Sequence, residues 1–490
     1  MAERYLALDL GAESGRAVIG TLQDGRLSLR EIHRFPHRIL RLGSSLHWDF
    51  YGLWGHMVES LRRARAEGET LCSLGLDTWG VDFGLLDVHG HLIGLPYSYR
   101  DARTKGAPES FFARIPKEKV YRLTGIQILP LNTLYQLEAM RRDVPETLKA
   151  ARRLLFMPDL FHRFLCGAEF SEFSFATTTQ LLNPRKRDFD PELLFALGLS
   201  RELFAPMVEP GTVIGTLNEE LGRETGLYGL PVVAVATHDT ASAVAAVPAL
   251  GEDWAYLSSG TWSLLGYEAP EPVITDASLA MNVTNEGGLA GSFRILKNIT
   301  GLWLLQECRR VWERQGSVTD YAELVSQAED APPLQTLLDP DDPAFLAPAD
   351  MTKTIRDYAR ESGQPIPESI GALTRAILES LALKYRYVLE QLETLRKRPF
   401  RVIHVIGGGS QNAALCRFTA QATGRTVLAG PVEATAIGNL LAQAMARGCV
   451  KSHAELRAIV RDSFELKTYA PQDDASWDQA YRRFLALNPK

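Results

Sequence analysis

The sequence has 490 residues, room for two large domains or three small ones at ~150 residues each. Lys and Arg number 53 against 59 Asp and Glu, so the net charge of −6 gives no electrostatic reason to expect a nucleic acid or an acidic membrane as partner. With 46% hydrophobic and 23% charged residues, the composition is that of a globular protein and excludes disorder as the main state.

The apolar run that starts the chain is short and is broken by Asp9, which does not suit a secretion signal. No apolar stretch approaches the ~20 residues that span a bilayer. Five cysteines (Cys72, Cys166, Cys308, Cys416 and Cys449) lie far apart without a C-x-x-C pair, and they read as free or buried thiols rather than disulfides or zinc ligands. These features predict a soluble protein of the reducing cytoplasm.

Tyr5 to Leu10 reads as a buried strand, and Arg16 to Leu22 returns as a second after the small-residue turn Gly11-Ala12-Glu13-Ser14-Gly15. Asp24-Gly25 supplies a tight turn into a third strand, Arg26 to His33, so three antiparallel strands are expected. Leu71 to Asp77 and Leu230 to Thr237 look like buried strands. The opening pattern recurs halfway along: Trp254 to Leu257 enters the turn Ser258-Ser259-Gly260-Thr261, and Trp262 to Tyr267 leaves it. That suggests a duplicated architecture with a boundary in the Val247–Asp253 stretch. Five prolines between Glu329 and Asp350 predict an irregular surface loop, either a lid or an idle insertion. Apolar residues at 370, 373, 377, 381, 385, 388, 392 and 395 describe one face of a long helix that Pro399 ends. Phe400 to Ile406 follows as a strand, then Gly407-Gly408-Gly409, then a helix from about Asn412.

Several segments carry chemistry-bearing residues. In Asp9-Leu10-Gly11-Ala12-Glu13-Ser14-Gly15-Arg16, small residues let backbone N–H groups converge on phosphate oxygens, although the same segment reads as a plain hairpin turn. It joins two strands and lacks a Gly-Lys-Ser/Thr, which excludes a Walker A loop and a dinucleotide fingerprint. Ser258 to Thr261 is weak alone and gains force beside the first loop, because two such turns grip a triphosphate from both sides. Gly407 to Asn412 follows a strand and opens a helix, a setting that suits an anion or nucleotide as well as a simple capped connection. Asp239, between a buried strand and an Ala-rich helix, reads as an N-cap or as a general base, with His238 and Thr240 binding substrate oxygens. Asp77-Thr78-Trp79-Gly80-Val81-Asp82-Phe83 puts rings beside carboxylates, as a sugar site does and as core packing also does. Tyr99 to Arg103 either reaches the same site or forms a surface ion pair. His/Cys metal clusters and G-x-S-x-G are absent, and the lone histidines read as solvated or satisfied.

Taken together, Asp9–Arg16, Asp77–Phe83, Tyr99–Arg103, His238–Ser242, Ser259–Ser263, Leu296–Ile299, Gly301–Gln306 and Gly407–Gly409 resemble the FGGY carbohydrate kinases of the actin-like ATPase superfamily. The likeness runs from Tyr5 to about Gly448. The Asp77–Phe83 and Leu296–Ile299 stretches resemble those members that act on L-rhamnulose. The resemblance implies an α/β fold of two actin-like, ribonuclease H-like domains around a central cleft. Residues 1–246 would form the sugar and phosphate side, and residues 247–490 the nucleotide side. It implies that Ala12, Glu13, Ser14, Gly15, Arg16 and Thr261 contact ATP phosphates, while Asn298, Gln306 and Gly408 contribute to the nucleotide pocket. Gly80, His238, Asp239 and Thr240 would contact the sugar, with Asp239 as base, and Mg²⁺ would ride on the phosphates, reaching Asp9 through water. The chain departs from the family pattern at Ala12 and Glu13; the Glu13 side chain is expected to point away, leaving its N–H to the phosphate.

The expected reaction is ATP-dependent phosphorylation of L-rhamnulose at O1 in L-rhamnose degradation, with the domains closing to exclude water. The expected partners are a small sugar and ATP, with no nucleic acid and no membrane, on a monomer or weak homodimer. Two alternatives stand beside it: a kinase for another ketose such as fuculose or xylulose, and a non-catalytic nucleotide-dependent sensor on the same fold.

Overall fold

The three opening strands form as expected: Glu3–Leu10, Ser14–Gln23 and Arg26–Pro36 run antiparallel in sequence. Asp24 and Gly25 turn between the last two at φ 50° and 74°, the left-handed pair that a two-residue hairpin loop requires. This computed structural model describes residues 2–317, 320–346 and 348–487. It divides into two compact units, the first made of Met1–Pro248, Glu268–Ile295 and Ala434–Ser463, the second of Ala249–Tyr267, Leu296–Glu433 and Phe464–Lys490. Each is built on mixed β-structure flanked by helices, the two-domain α/β architecture expected from the sequence.

In the first unit, Ser73–Thr78 adds in parallel to Glu3–Leu10, Pro231–Ala234 adds in parallel to Ser73–Thr78, and Thr212–Thr216 closes that edge antiparallel. Tyr5 to Leu8 are fully buried, as befits a central strand covered on both faces. The helix Phe50–Ala66 packs Phe50, Leu53, Met57 and Leu61 into this core, and Asp49 Oδ1 caps it by accepting from Gly52 N at 3.0 Å. The strand expected over 230–237 is shorter. After Ala234 the regular ladder stops: buried Glu172 Oε2 accepts from Thr237 N at 3.1 Å and Oγ1 at 2.6 Å, while Thr237 O still pairs with Thr78 N.

Contacts group Ala434–Ser463 with the first unit although this segment comes late in the chain. The helix Ala434–Ala446 packs on the helix Asp239–Ala245 so closely that a Cβ on Gly438 would stand 1.8 Å from Ser242 O. Asn439 Nδ2 donates to Asp77 Oδ2 at 2.6 Å, and Gln443 Nε2 to Leu6 O at 2.9 Å. A late segment thereby supplies polar partners for groups deep in the first sheet.

The second unit repeats the opening arrangement. Trp254–Ser259 and Trp262–Ala269 form an antiparallel pair, Val402–Ile406 joins the first of them in parallel, and Thr426–Ala429 and Lys467–Tyr469 extend the sheet. Phe293–Thr300 flanks Trp262–Ala269 on the other side. The long helix runs Ile370–Arg396, capped by Ser369 and stopped by Lys397 in the left-handed region at φ 59°, two residues before Pro399. The Pro-rich stretch is irregular but not an idle surface loop. Apart from Ala347, which lies outside the described residues, it is tied to the long helix: Leu334 N donates to Glu379 Oε2 at 2.7 Å and Leu338 N to Ser380 Oγ at 2.8 Å, with Leu337, Leu338 and Phe345 buried.

All five cysteines are free thiols. Among the described residues no helix is long and apolar enough to cross a membrane.

Candidate active site

Three neighbouring strands of the first unit put Arg16, Asp9 and Asp77 at one register, with Asp9 opposite Arg16 across the antiparallel pair and opposite Asp77 across the parallel pair. Arg16 donates from Nε at 2.8 Å and Nη2 at 2.7 Å to Asp9 Oδ2. Asp77 has one oxygen on Asn439, while its buried Oδ1 makes no hydrogen bond within the described residues. Burial pushes the Asp77 carboxyl well above the usual carboxylate range, and the Asp9 charge beside it adds to the rise. The loop that follows leaves Glu13 exposed and Ala12 and Ser14 half-buried. Gly15 has a packing reason of its own, since a Cβ there would stand 2.3 Å from the Phe35 ring.

The sugar-side residues expected from the sequence come together. A Cβ on Gly80 would lie 3.1 Å from His238 Nε2, and Thr78 N donates to Thr237 O at 2.9 Å, binding the two segments side by side. Asp239 Oδ1 lies 3.5 Å from His238 Nε2 and accepts from Thr240 N at 2.6 Å and Thr240 Oγ1 at 3.1 Å. Asp239 Oδ2 makes no hydrogen bond within the described residues, and the side chain is 24% exposed. Burial raises the Asp239 carboxyl above its ordinary value; His238 opposes the rise and Asp9 adds to it. The geometry is that of a carboxylate braced on one oxygen and open on the other.

Sequence reasoning missed Glu172. Its carboxylate accepts from Ser174 N, Ser174 Oγ and Phe175 N as well as from Thr237, so one buried acid fixes the segment that presents His238 and Asp239. Glutamate is not among the favoured N-cap residues, and nothing in its neighbourhood signals the role.

The Trp79 segment departs from the sugar-platform expectation. Trp79 is buried against Trp48 with ring centroids 4.0 Å apart, and Asp82 between them accepts from Trp48 Nε1 (2.6 Å), Trp79 Nε1 (3.0 Å) and Gln136 Nε2 (2.8 Å). Core packing thus claims both indoles. Val81, beside Gly80, is held at φ 67°, an uncommon conformation for a β-branched residue, with its carbonyl accepting from Thr133 Oγ1 at 2.6 Å. In the Tyr99 to Arg103 segment Asp101 is buried and accepts from Leu46 N and Arg103 N, and Arg103 reaches Gln136 Oε1 at 2.6 Å. His162 is neither solvated nor satisfied; it is fully buried with both ring nitrogens unpaired within the described residues, and burial pushes it down to about 3.

Burial raises the Asp82 carboxyl to about 6 despite the hydrogen bonds that oppose it. With an unfolded value of ~4, the folded state holds the extra proton between the two, so the contribution of this group to stability is complete below about pH 4 and is lost as pH rises through about 6. Asp82→Asn is therefore expected to flatten the loss of stability between pH 4.5 and 7 by about 2 kcal/mol. Melting both proteins across that range checks it, and parallel curves refute it.

In the second unit the turn after Ser259 serves a helix that comes later in the chain. Thr261 O accepts from Gly301 N (3.1 Å) and Trp303 N (3.2 Å), and Gly260 O from Leu302 N (3.0 Å), satisfying the N-terminus of the helix Trp303–Arg314. Gln306 lies in the first turn of that helix, with its Oε1 buried and unpaired within the described residues, and Asn298 sits half-buried on Phe293–Thr300. The three consecutive glycines differ in role. A Cβ on Gly409 would collide with Ser259 Oγ at 2.0 Å, Gly407 turns at φ 79° against Ser259 O, and Gly408 has no atom within 4 Å of the same position. Asn412 caps the following helix, Ala413–Thr423, through Leu415 N at 2.9 Å, as expected.

These groups fit ATP and magnesium. Among the described residues Gly408 leaves open space for a ligand, and Gln306 Oε1 lacks a donor. Among the described residues no group of three or more His, Cys, Asp or Glu forms a metal cage. Asp9 has one oxygen on Arg16 and the other without a hydrogen bond among the described residues, which suits an ion held mainly by phosphates and water with a single carboxylate nearby.

Residues 4–246 match the N-terminal domain, and residues 255–447 the C-terminal domain, of the FGGY family of carbohydrate kinases. The chain is 50% identical over 484 residues to a rhamnulokinase of Bacteroides thetaiotaomicron, with 99% of each covered. It is 44% identical over 488 residues to a rhamnulokinase of Pectobacterium atrosepticum, covering 99% of this chain and 97% of the other. Among solved structures it is similar to a ligand-bound xylulose kinase from Lactobacillus acidophilus, with a TM-score of 0.83 and 15% identity over 99% of this chain and 97% of that one. At that identity the likeness speaks to the fold alone.

Proposed function

This chain belongs to the FGGY family of carbohydrate kinases, and from that premise we propose that it transfers the terminal phosphoryl group of ATP to O1 of L-rhamnulose, giving L-rhamnulose 1-phosphate in L-rhamnose degradation. The observation that carries the substrate is the identity of half its residues, along the whole chain, to a relative named rhamnulokinase. Asp239 takes the O1 proton on Oδ2 while its other oxygen stays braced on Thr240. Gly80, His238 and Thr240 hold the sugar. Ala12, Glu13, Ser14, Gly15, Arg16 and Thr261 contact the phosphates through backbone N–H groups, hydroxyls and the guanidinium. Asn298, Gln306 and Gly408 line the nucleotide pocket. Asp9 would stand beside magnesium carried by the phosphates, which would supply charge neutralisation and alignment. In this reading residues 1–246 carry the sugar and phosphate side and residues 247–490 the nucleotide side. The enzyme acts in the cytoplasm as a monomer or weak homodimer, without nucleic acid or membrane partners.

A coupled ADP-release assay over a panel of ketoses tests this. L-Rhamnulose is expected to give a kcat/KM at least about tenfold above fuculose and xylulose, since a site built to hydrogen-bond one hydroxyl rejects its misplaced counterpart. A higher value for another ketose overturns the substrate, and ADP release independent of any sugar overturns the kinase reading in favour of a sensor.

A further inference from the structure

Arg294 is fully buried, and nothing in the phosphoryl transfer described above uses it. Its Nε donates to Gly287 O at 2.9 Å, and its Nη2 lies 3.1 Å from both Glu286 Oε2 and His238 Nδ1. Glu286 Oε2 is 3.4 Å from the same ring nitrogen. The imidazole is thus gripped on one edge by a buried ion pair, while its other edge, Nε2, faces Gly80 and Asp239 Oδ1. Ser174 Oγ, which accepts from His238 N at 3.4 Å, and the Phe175 ring complete its surroundings.

This arrangement decides where the ring carries its proton. A guanidinium has only donors, so the nitrogen in contact with Nη2 must accept, and the neutral ring then bears its hydrogen on Nε2. Glu286 lies beyond the usual N–H···O range from the ring and acts as counter-charge to Arg294. Burial would raise the Glu286 carboxyl, but Arg294 first and His238 second hold it below its ordinary value. Without that carboxylate the buried guanidinium would be an uncompensated charge.

We propose that Arg294 and Glu286 are positioning residues that hold His238 as an Nε2–H donor to a sugar oxygen and so set sugar affinity rather than the rate of transfer. The proposal rests on reading His238 as a sugar-binding residue. It also separates the roles of two neighbours: with Nε2 already carrying hydrogen, His238 does not take the proton of the attacking hydroxyl, and that task falls to Asp239 Oδ2.

Two measurements test it. In ¹⁵N-histidine NMR of the whole protein, with His238 assigned by its loss in His238→Gln, the ring is expected in the Nε2–H form; an Nδ1–H form or an imidazolium overturns the proposal. This readout needs no sugar, so it stands apart from the identity of the substrate. In a double-mutant cycle, with the ketose the panel selects, Arg294→Met is expected to raise the sugar KM about ten- to a hundredfold, leaving kcat and the KM for ATP within about twofold. The same change in a His238→Gln background is expected to alter the sugar KM by less than about twofold, whereas independent, additive effects overturn the proposal. Should Arg294→Met not fold, Glu286→Gln, which keeps the shape of the side chain, is expected to show the same dependence on His238, and additivity there is equally decisive.

Discussion

Replacing Asp239 by Asn is expected to leave a folded protein that still binds ATP but whose kcat is lower by about 10²- to 10⁴-fold. The asparagine retains the Oδ1 that accepts from Thr240 N and Oγ1, so the first turn of the helix Asp239–Ala245 keeps its brace. What it loses is Oδ2, replaced by an amide that takes no proton. Native activity should also fall on the acid side, at a pH above that of an ordinary carboxyl, because burial raises this group and Asp9 reinforces the rise over the opposing effect of His238. The pH profile of kcat, with calorimetry for ATP, checks both statements; full activity in the variant removes Asp239 from its assigned role.

Gly438→Ala is expected to destabilise the first unit by about 3 kcal/mol or more, at the upper end of overpacking. The added methyl would meet Ser242 O at 1.8 Å and Ser242 C at 2.6 Å. These are main-chain atoms of a helix, with no flexible tip to swing aside. The helices must therefore separate, and the one that moves carries Asp239 at its first position, so kcat falls as well. Gly55→Ala is the matching control: in the helix Phe50–Ala66, with nothing within 4 Å of the new atom, it should gain about 0.5–1 kcal/mol. Thermal unfolding of the two variants separates packing from helix propensity, and a native-like melt for Gly438→Ala contradicts this account.

Features whose cause is local could be read from the sequence. Asp24-Gly25 makes its hairpin because the two-residue turn needs left-handed backbone, and Ile370–Arg396 forms because its apolar residues repeat at helical spacing between a Ser cap and a Pro stop. That Gly80, His238, Asp239 and Thr240 gather in one place was legible through short motifs that resemble a known family. Other features were not, because their partners meet only in the folded chain. Asn439 reaches Asp77 from 362 residues away, and Arg294 reaches His238 from 56. Glu172 acts through Thr237, to which no local pattern connects it. The aromatic and acidic residues around Trp79 allowed two readings, and only the Asp82 bonds to both indoles decide for the core. The Pro-rich stretch misled for the same reason: its residues look like surface, yet their backbone N–H groups end on the carboxylate of Glu379 and the hydroxyl of Ser380.

The return of Ala434–Ala446 to the first sheet bears on how the chain is made. A ribosome that has released Pro248 has delivered every strand of that sheet but not the segment that fills Gly75, bonds Leu6 O and pairs Asp77. Translating the roughly 200 residues in between takes about 10–40 s at ~5–20 residues per second. For that interval the nascent sheet carries a raw face with an unquenched buried acid, and it becomes sealed only once Ala434–Ala446 has been made.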